Sequence, residues 1–153
     1  MQGERKPLDL VAEKAASENA VAFSPDGRFI AYRSDESGRN EIYVQPFPAT
    51  GAKWTISSQG GSQPQWRGDG KELFYRGPDD TIYAVPITLA PSFDAGTPVA
   101  LFKRRLEVSG IVRSRYCATP DGQKFLVNAP VADKSDIPFS VVLNWQQLLE
   151  TKP

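Results

Sequence analysis

Histidine is absent from all 153 residues. That absence removes Ser-His-Asp and Cys-His nucleophilic sites from within the chain, and histidine-based zinc sites with them. The single cysteine, Cys117, excludes an intramolecular disulfide and offers no metal-ligand spacing. Net charge is lacking too: 18 Lys+Arg balance 18 Asp+Glu. No global field therefore recruits nucleic acid or an anionic membrane. No apolar run approaches the roughly 20 residues of a spanning helix, and the polar start of the chain has no signal-peptide core. Missing as well are a Gly-x-Ser-x-Gly elbow, a Walker glycine loop and an Asp-x-Asp-x-Asp-Gly calcium loop. The expectations are no cofactor, no metal, no nucleic acid and no membrane insertion by this chain. Its compartment as it stands would be the cytoplasm, or an extracytoplasmic space if it belongs to a sensor or periplasmic parent.

What the sequence does have is turns. Thirteen Pro and twelve Gly fall in short clusters, beside a 40% hydrophobic share that is enough for a core. Pro25-Asp26-Gly27 separates Val21-Ala22-Phe23 from Phe29-Ile30-Ala31-Tyr32. Asp-Gly between apolar runs is a strong hairpin signal, because Gly takes positive φ without a steric cost and Asp hydrogen-bonds its own turn. The same arrangement returns at Gly68-Asp69-Gly70 before Leu73-Phe74-Tyr75, and at Pro120-Asp121-Gly122 before Phe125-Leu126-Val127. None of these second runs alternates apolar with polar, so each is expected to be covered on both faces.

The turn aspartates Asp26, Asp69 and Asp121 fall 43 and 52 residues apart. Downstream, Glu41-Ile42-Tyr43-Val44 is matched by Thr81-Ile82-Tyr83-Ala84-Val85, and each run meets a proline, Pro46 or Pro86. Proline removes a ladder donor and suits a strand near a sheet's outer edge. A period in the low forties with four short strands predicts an all-β chain of β-propeller blades. The expected division is 1–19 as a lone outer strand (Pro7–Ala12) and linker, 20–60 as the first blade and 61–106 as the second. Residues 107–153 form a third blade without its last strand, closed by a short helix over Gln146–Glu150. Lys53–Ser57 and Pro98–Phe102 are the expected fourth strands, and Leu89–Gly96 a long excursion around Phe93.

These motifs resemble the TolB-like family of β-propellers, the Pro-Asp relatives of the WD repeats. Phe23-Ser24-Pro25-Asp26-Gly27-Arg28, Ser34-Asp35-Glu36-Ser37-Gly38-Arg39 and Tyr43-Val44-Gln45-Pro46-Phe47-Pro48 carry most of the likeness, with Trp66–Tyr75 and Val141-Val142-Leu143-Asn144-Trp145 adding to it. More narrowly, the chain resembles the C-terminal propeller of large bacterial proteins, transmembrane serine/threonine kinases among them. The resemblance implies a fold rather than a task, since propellers host unrelated activities. Three repeats fall short of the four to eight blades typical of a closed ring. Either the chain is a piece of a longer product, the favoured reading, or two copies pair head to tail into six blades.

Candidate sites are weighed against plainer roles. Asp26, Asp69 and Asp121 are placed in their turns for backbone reasons rather than for metal or acid/base chemistry. Lys103-Arg104-Arg105, with Arg113 and Arg115, is the one basic concentration, and these four arginines are the candidates for a phosphate or an acidic partner. Trp54, Trp66 and Trp145 are expected to pack between blades, and Cys117 to be a small buried apolar residue. The reading reached is a non-catalytic binding or interaction module, the sensor portion of a larger protein. Its working loops are Ser34–Asn40, Gly77–Asp80 and Lys103–Arg115, its ligand a protein or small molecule. The alternatives are a gating or catalytic propeller part of a hydrolase or peptidase, and a self-assembling structural propeller that forms a homo-oligomer.

Overall fold

The computed structural model describes residues 19–106, 115–129 and 139–143, the last by backbone alone. Among the described residues the chain is all-β, with no helix and hence none long or apolar enough to cross a membrane. The first sheet runs in chain order through β1 (Asn19–Phe23), β2 (Phe29–Ser34), β3 (Glu41–Pro46) and β4 (Trp54–Thr55). The second holds β5 (Ser62–Trp66), β6 (Glu72–Arg76) and β7 (Thr81–Thr88), with β8 (Asp94–Ala95) and β9 (Val99–Lys103) both on the outer side of β7. The third is β10 (Tyr116–Ala118), β11 (Lys124–Asn128) and β12 (Phe139–Leu143). All pairings are antiparallel. The lone strand at Pro7–Ala12, the helix at Gln146–Glu150, Arg113, Trp145 and most of the loop before β12 lie outside the described residues.

Each hairpin is closed by its turn aspartate. Asp26 Oδ1 accepts from the Ser24 hydroxyl at 2.7 Å and the Arg28 N–H at 3.0 Å. Asp69 Oδ1 accepts from the Lys71 N–H at 3.0 Å, and Asp121 Oδ1 from the Gln123 N–H at 3.0 Å. The glycine that follows has φ of 71°, 74° and 70° in the three copies, a conformation only glycine adopts freely.

The sheets stack face to face. Phe29, Ala31, Ile42 and Val44 of the first pack on Leu73, Tyr75, Val85 and Ile87 of the second, with Phe93, Trp54 and Trp66 joining them. From its opposite face the second sheet offers Phe74, Ile82, Ala84 and Leu101 to Tyr116, Phe125 and Val127 of the third. Both faces of a middle sheet are thus buried, which is why its strands read as unbroken apolar runs. Innermost strands are stitched by side chains. Trp66 Nε1 donates to the Ala22 carbonyl at 3.1 Å. Gln65 donates through Nε2 to the Tyr116 carbonyl at 2.7 Å and accepts the Ala118 N–H on Oε1 at 3.0 Å.

The structure corrects several expectations. β11 alternates: Phe125 and Val127 are buried, while Leu126 is 44% exposed on the flank turned away from the second sheet. Cys117, opposite Leu126 in register, shares that flank and is exposed rather than buried. The fourth strand of the first sheet shrinks to Trp54–Thr55. The excursion around Phe93 contains a strand of its own, β8, because Phe93 is drawn into the core and brings Asp94–Ala95 alongside Ile87–Thr88. Pro86 lies inside β7 rather than at its end. Ile87 N–H points to β6, so its neighbour's missing N–H faces the outer side, where β9 has ended its pairing and β8 has yet to begin.

Candidate functional site

The sheets share one end, at which β2 hands over to β3, β6 to β7, and each innermost strand begins. At the start of β1 and β5 the register slips by a bulge, and the bulged residues Ala20 and Gln63 take φ of 55° and 54°. Bulges of this kind re-aim the chain near sheet rims. Here the turned Gln63 carbonyl accepts the Tyr116 hydroxyl at 2.7 Å, fixing the second sheet to the third. Burial pushes the Tyr116 hydroxyl well above its ordinary pKa, so it remains a donor.

Between the first and second sheets this end opens into a cavity of about 350 Å³. Its walls come from two of the loops singled out in the sequence, near Arg39–Asn40 and at Pro78, and from the connection Gln59–Ser62. The wall is held by Glu41, only 2% exposed. Its carboxylate accepts from Arg39 Nε at 2.6 Å, from the Ser57 hydroxyl and, through both oxygens, from the Gly60 N–H at 3.0 Å. Ser57 Oγ in turn accepts the Ile42 N–H at 2.8 Å, and the Gly61 N–H meets the Asn40 carbonyl at 2.9 Å. A Cβ on Gly61 would stand 2.7 Å from Ile42 Cγ1 and from Ser57 Oγ, so only glycine lets the connection lie this close.

Three arginines line the cavity, and two are matched. Arg39 pairs with Glu41 and also donates to the Ser58 carbonyl; Arg76 pairs with Asp80, donating through Nε at 2.7 Å. The Arg33 side chain, near the end of β2, has no ion pair or hydrogen bond among the described residues, and its Nε is shut off from solvent without a partner. Beyond the Gln59–Gly60 and Pro78 wall lies a second hollow of about 250 Å³, faced by Tyr75, Tyr83 and Pro98. The two tyrosine rings stack at 5.1 Å and 14°. Burial first, then Tyr83 and Glu41, raise the Tyr75 pKa to about 12.

Of the basic candidates from the sequence, Arg104, Arg105 and Arg115 fall at the same end but do not line this cavity. Arg104 and Arg105 are exposed just past β9, where the Arg104 N–H reaches the Asp80 carbonyl at 3.4 Å. Arg115 is half-buried, its backbone N–H meeting Gln63 Oε1 at 3.4 Å, with its own Nε unpartnered. Arg113 lies outside the described residues. Sequence reasoning passed over Arg33 and Arg76. Both follow a tyrosine at the end of a repeated strand, 43 residues apart, which was the signal available. The loop carboxylates are engaged. Asp79 is held below its ordinary pKa by the Lys103 ammonium at 2.9 Å, and Lys103 is raised in return. Asp80 takes Arg76 and the Leu106 N–H. Among the described residues no group of His, Cys, Asp or Glu is arranged to hold a metal ion.

No protein-family model matches the chain. No curated protein matches it either. Among solved structures it is similar to TolB from Acinetobacter baumannii, with a TM-score of 0.57 and 16% identity over 80% of this chain and 29% of that one. It is also similar to oligogalacturonate lyase from Vibrio parahaemolyticus, with a TM-score of 0.50 and 14% identity over 69% of this chain and 27% of that one. At such identities the likeness is one of fold: the sheets are blades of a β-propeller, the fold they share with TolB. The chain spans less than a third of the length of either structure.

Proposed function

We propose that this chain is a non-catalytic binding module, part of a larger propeller protein, which receives its ligand at the shared loop end of the sheets. The observation that carries the reading is the cavity between the first and second sheets. Two loops and an inter-sheet connection converge there on a wall locked by Glu41, and one guanidinium is left uncommitted. A rigid scaffold that presents loops around a concavity is the usual arrangement for recognition. The nearby loop carboxylates are occupied by Lys103, Arg76 and backbone donors, which favours a structural role for them over acid/base work. Screening small molecules and peptides for a rise in melting temperature, with product analysis of every hit, separates the readings. Stabilisation without turnover is expected, since a ligand of the folded state raises its apparent stability. Hydrolysis lost on Asp79→Asn or Asp80→Asn would establish the enzyme reading instead.

A second reading rests on the two outer flanks. Val21 and Phe23 are 48% and 52% exposed along β1 on the first sheet's outer face, beside the buried Ile30, Tyr32 and Tyr43, and Leu126 and Cys117 are exposed on the third's. Inside the stack, equivalent faces cover one another. Two chains joined flank to flank would extend that stacking into a six-sheet ring. Sedimentation is the test: a particle of twice the chain mass, reverting to a monomer in Phe23→Asp, supports the ring, and a clean monomer at high concentration removes it.

A further inference from the structure

We infer that the cavity between the first two sheets is a carboxylate site, and that its ligand carries one negative charge on a flat apolar body. The inference rests on the binding-module reading and names the ligand class. Charge counting comes first. Arg39 is neutralised by Glu41 and Arg76 by Asp80, which leaves Arg33 as the single charge on the wall unmatched among the described residues. The Nε is closed to water and is not itself the contact; an anion in the cavity would meet the remaining N–H groups of the same guanidinium and offset its unpaired charge. Arginine's planar fork matches the two oxygens of a carboxylate, and the balance of one charge to one charge is met by that group. A phosphate carries about −1.5 to −2 at neutral pH and would leave excess charge beside one free arginine.

The second hollow supplies the rest of the recognition. It shares Gln59, Gly60 and Pro78 with the first, so a ligand anchored at Arg33 has a neighbouring space to extend into. That space is faced by the Tyr75–Tyr83 stack and by Pro98, surfaces that favour a ring or apolar group. The raised Tyr75 hydroxyl stays protonated at neutral pH, adding no competing negative charge. Together the hollows offer about 600 Å³, within the range of small-molecule sites.

The probe is N-acetylphenylalanine, compared by calorimetry with N-acetylphenylalaninamide, N-acetylglycine and phenyl phosphate. Binding of the first is expected to exceed each of the others by about tenfold or more, the worth of one charge-assisted contact or one buried ring. Arg33→Gln should lose about tenfold in affinity for the acid and nothing for the amide. Lys71→Ala, at the opposite end, should bind as the parent does. Should Arg33→Gln fold poorly, the Arg33 Nε–H resonance of the unaltered chain replaces it, and must shift on titration with the acid and not with the amide. Equal binding of acid and amide, tighter binding of phenyl phosphate, or no saturable binding overturns the carboxylate site and leaves the binding-module reading intact. Chemical conversion of the probe in the cell would overturn the non-catalytic reading, with Arg33 dependence still deciding the site.

Discussion

Glu41 is the residue on which the site's wall depends, and its role is structural. Three donors make four hydrogen bonds to one buried carboxylate: Arg39 Nε, the Ser57 hydroxyl and the Gly60 N–H on both oxygens, with Ser57 Oγ in turn accepting the Ile42 N–H. Glu41→Gln keeps the shape but turns an amide NH₂ toward groups that are themselves donors. It should lower the unfolding free energy by about 2 kcal/mol, the usual cost of a buried donor left without its acceptor. The check is urea denaturation, and an unchanged midpoint would mean that the wall is held by packing alone. The sequence showed Glu41 only as the polar start of a strand, because its partners other than Arg39 lie 16 to 19 residues away. Arg33 was illegible for the complementary reason: its distinction is the lack of a partner, which no local pattern encodes. The basic run at Lys103–Arg105 was conspicuous in sequence because its charges are consecutive, yet consecutive residues of a strand and its exit do not converge.

At the scale of the element, the three hairpins were legible because everything that closes them lies within six residues. Their turns are near copies, and their surroundings are not. A Cβ on Gly27 would meet nothing within 4 Å, whereas one on Gly122 would stand 3.0 Å from Cζ of the buried Phe74. Gly27→Ala should therefore cost only the left-handed penalty of about 1–2 kcal/mol, and Gly122→Ala about 3 kcal/mol or more once overpacking is added. Equal losses in a thermal or chemical unfolding comparison would show that the third turn does not press on the second sheet. What the sequence hid at this scale was the outermost strands. β4 and β8 hold two residues each and have no pattern to read. Their places are set by Trp54 and Phe93 entering the core at ring centroids 4.4 Å apart.

For the molecule as a whole, the missing histidine becomes a statement about pH. Asp26 and Asp121 are held below the ordinary carboxylate range. Thr119 and Gln123 do so at Asp121; at Asp26 burial works the other way and is outweighed by Ser24 and Arg28. Asp79 joins them through Lys103. Groups with depressed folded pKa values contribute stability above the unfolded value and lose it as pH falls through the folded one. With no side chain of ordinary pKa between about 5 and 8, the urea midpoint should stay nearly flat from about pH 5.5 to 7.5 and fall below about pH 4. A step near pH 6.5 would contradict the assignment of these carboxyls as the groups that set the acid limit.

Gln65 carries a consequence for the geometry of any complete ring. Its side-chain amide accepts from one main-chain group of β10 and donates to another, standing in the gap as a peptide unit would. The hub strands are too far apart for a direct ladder, and two methylenes plus an amide measure out their separation. The angular step from the second sheet to the third is therefore metered near the axis by the reach of a single glutamine. A homologous blade with asparagine at that place would have to close in on its neighbour, and the bore of the ring would tighten accordingly.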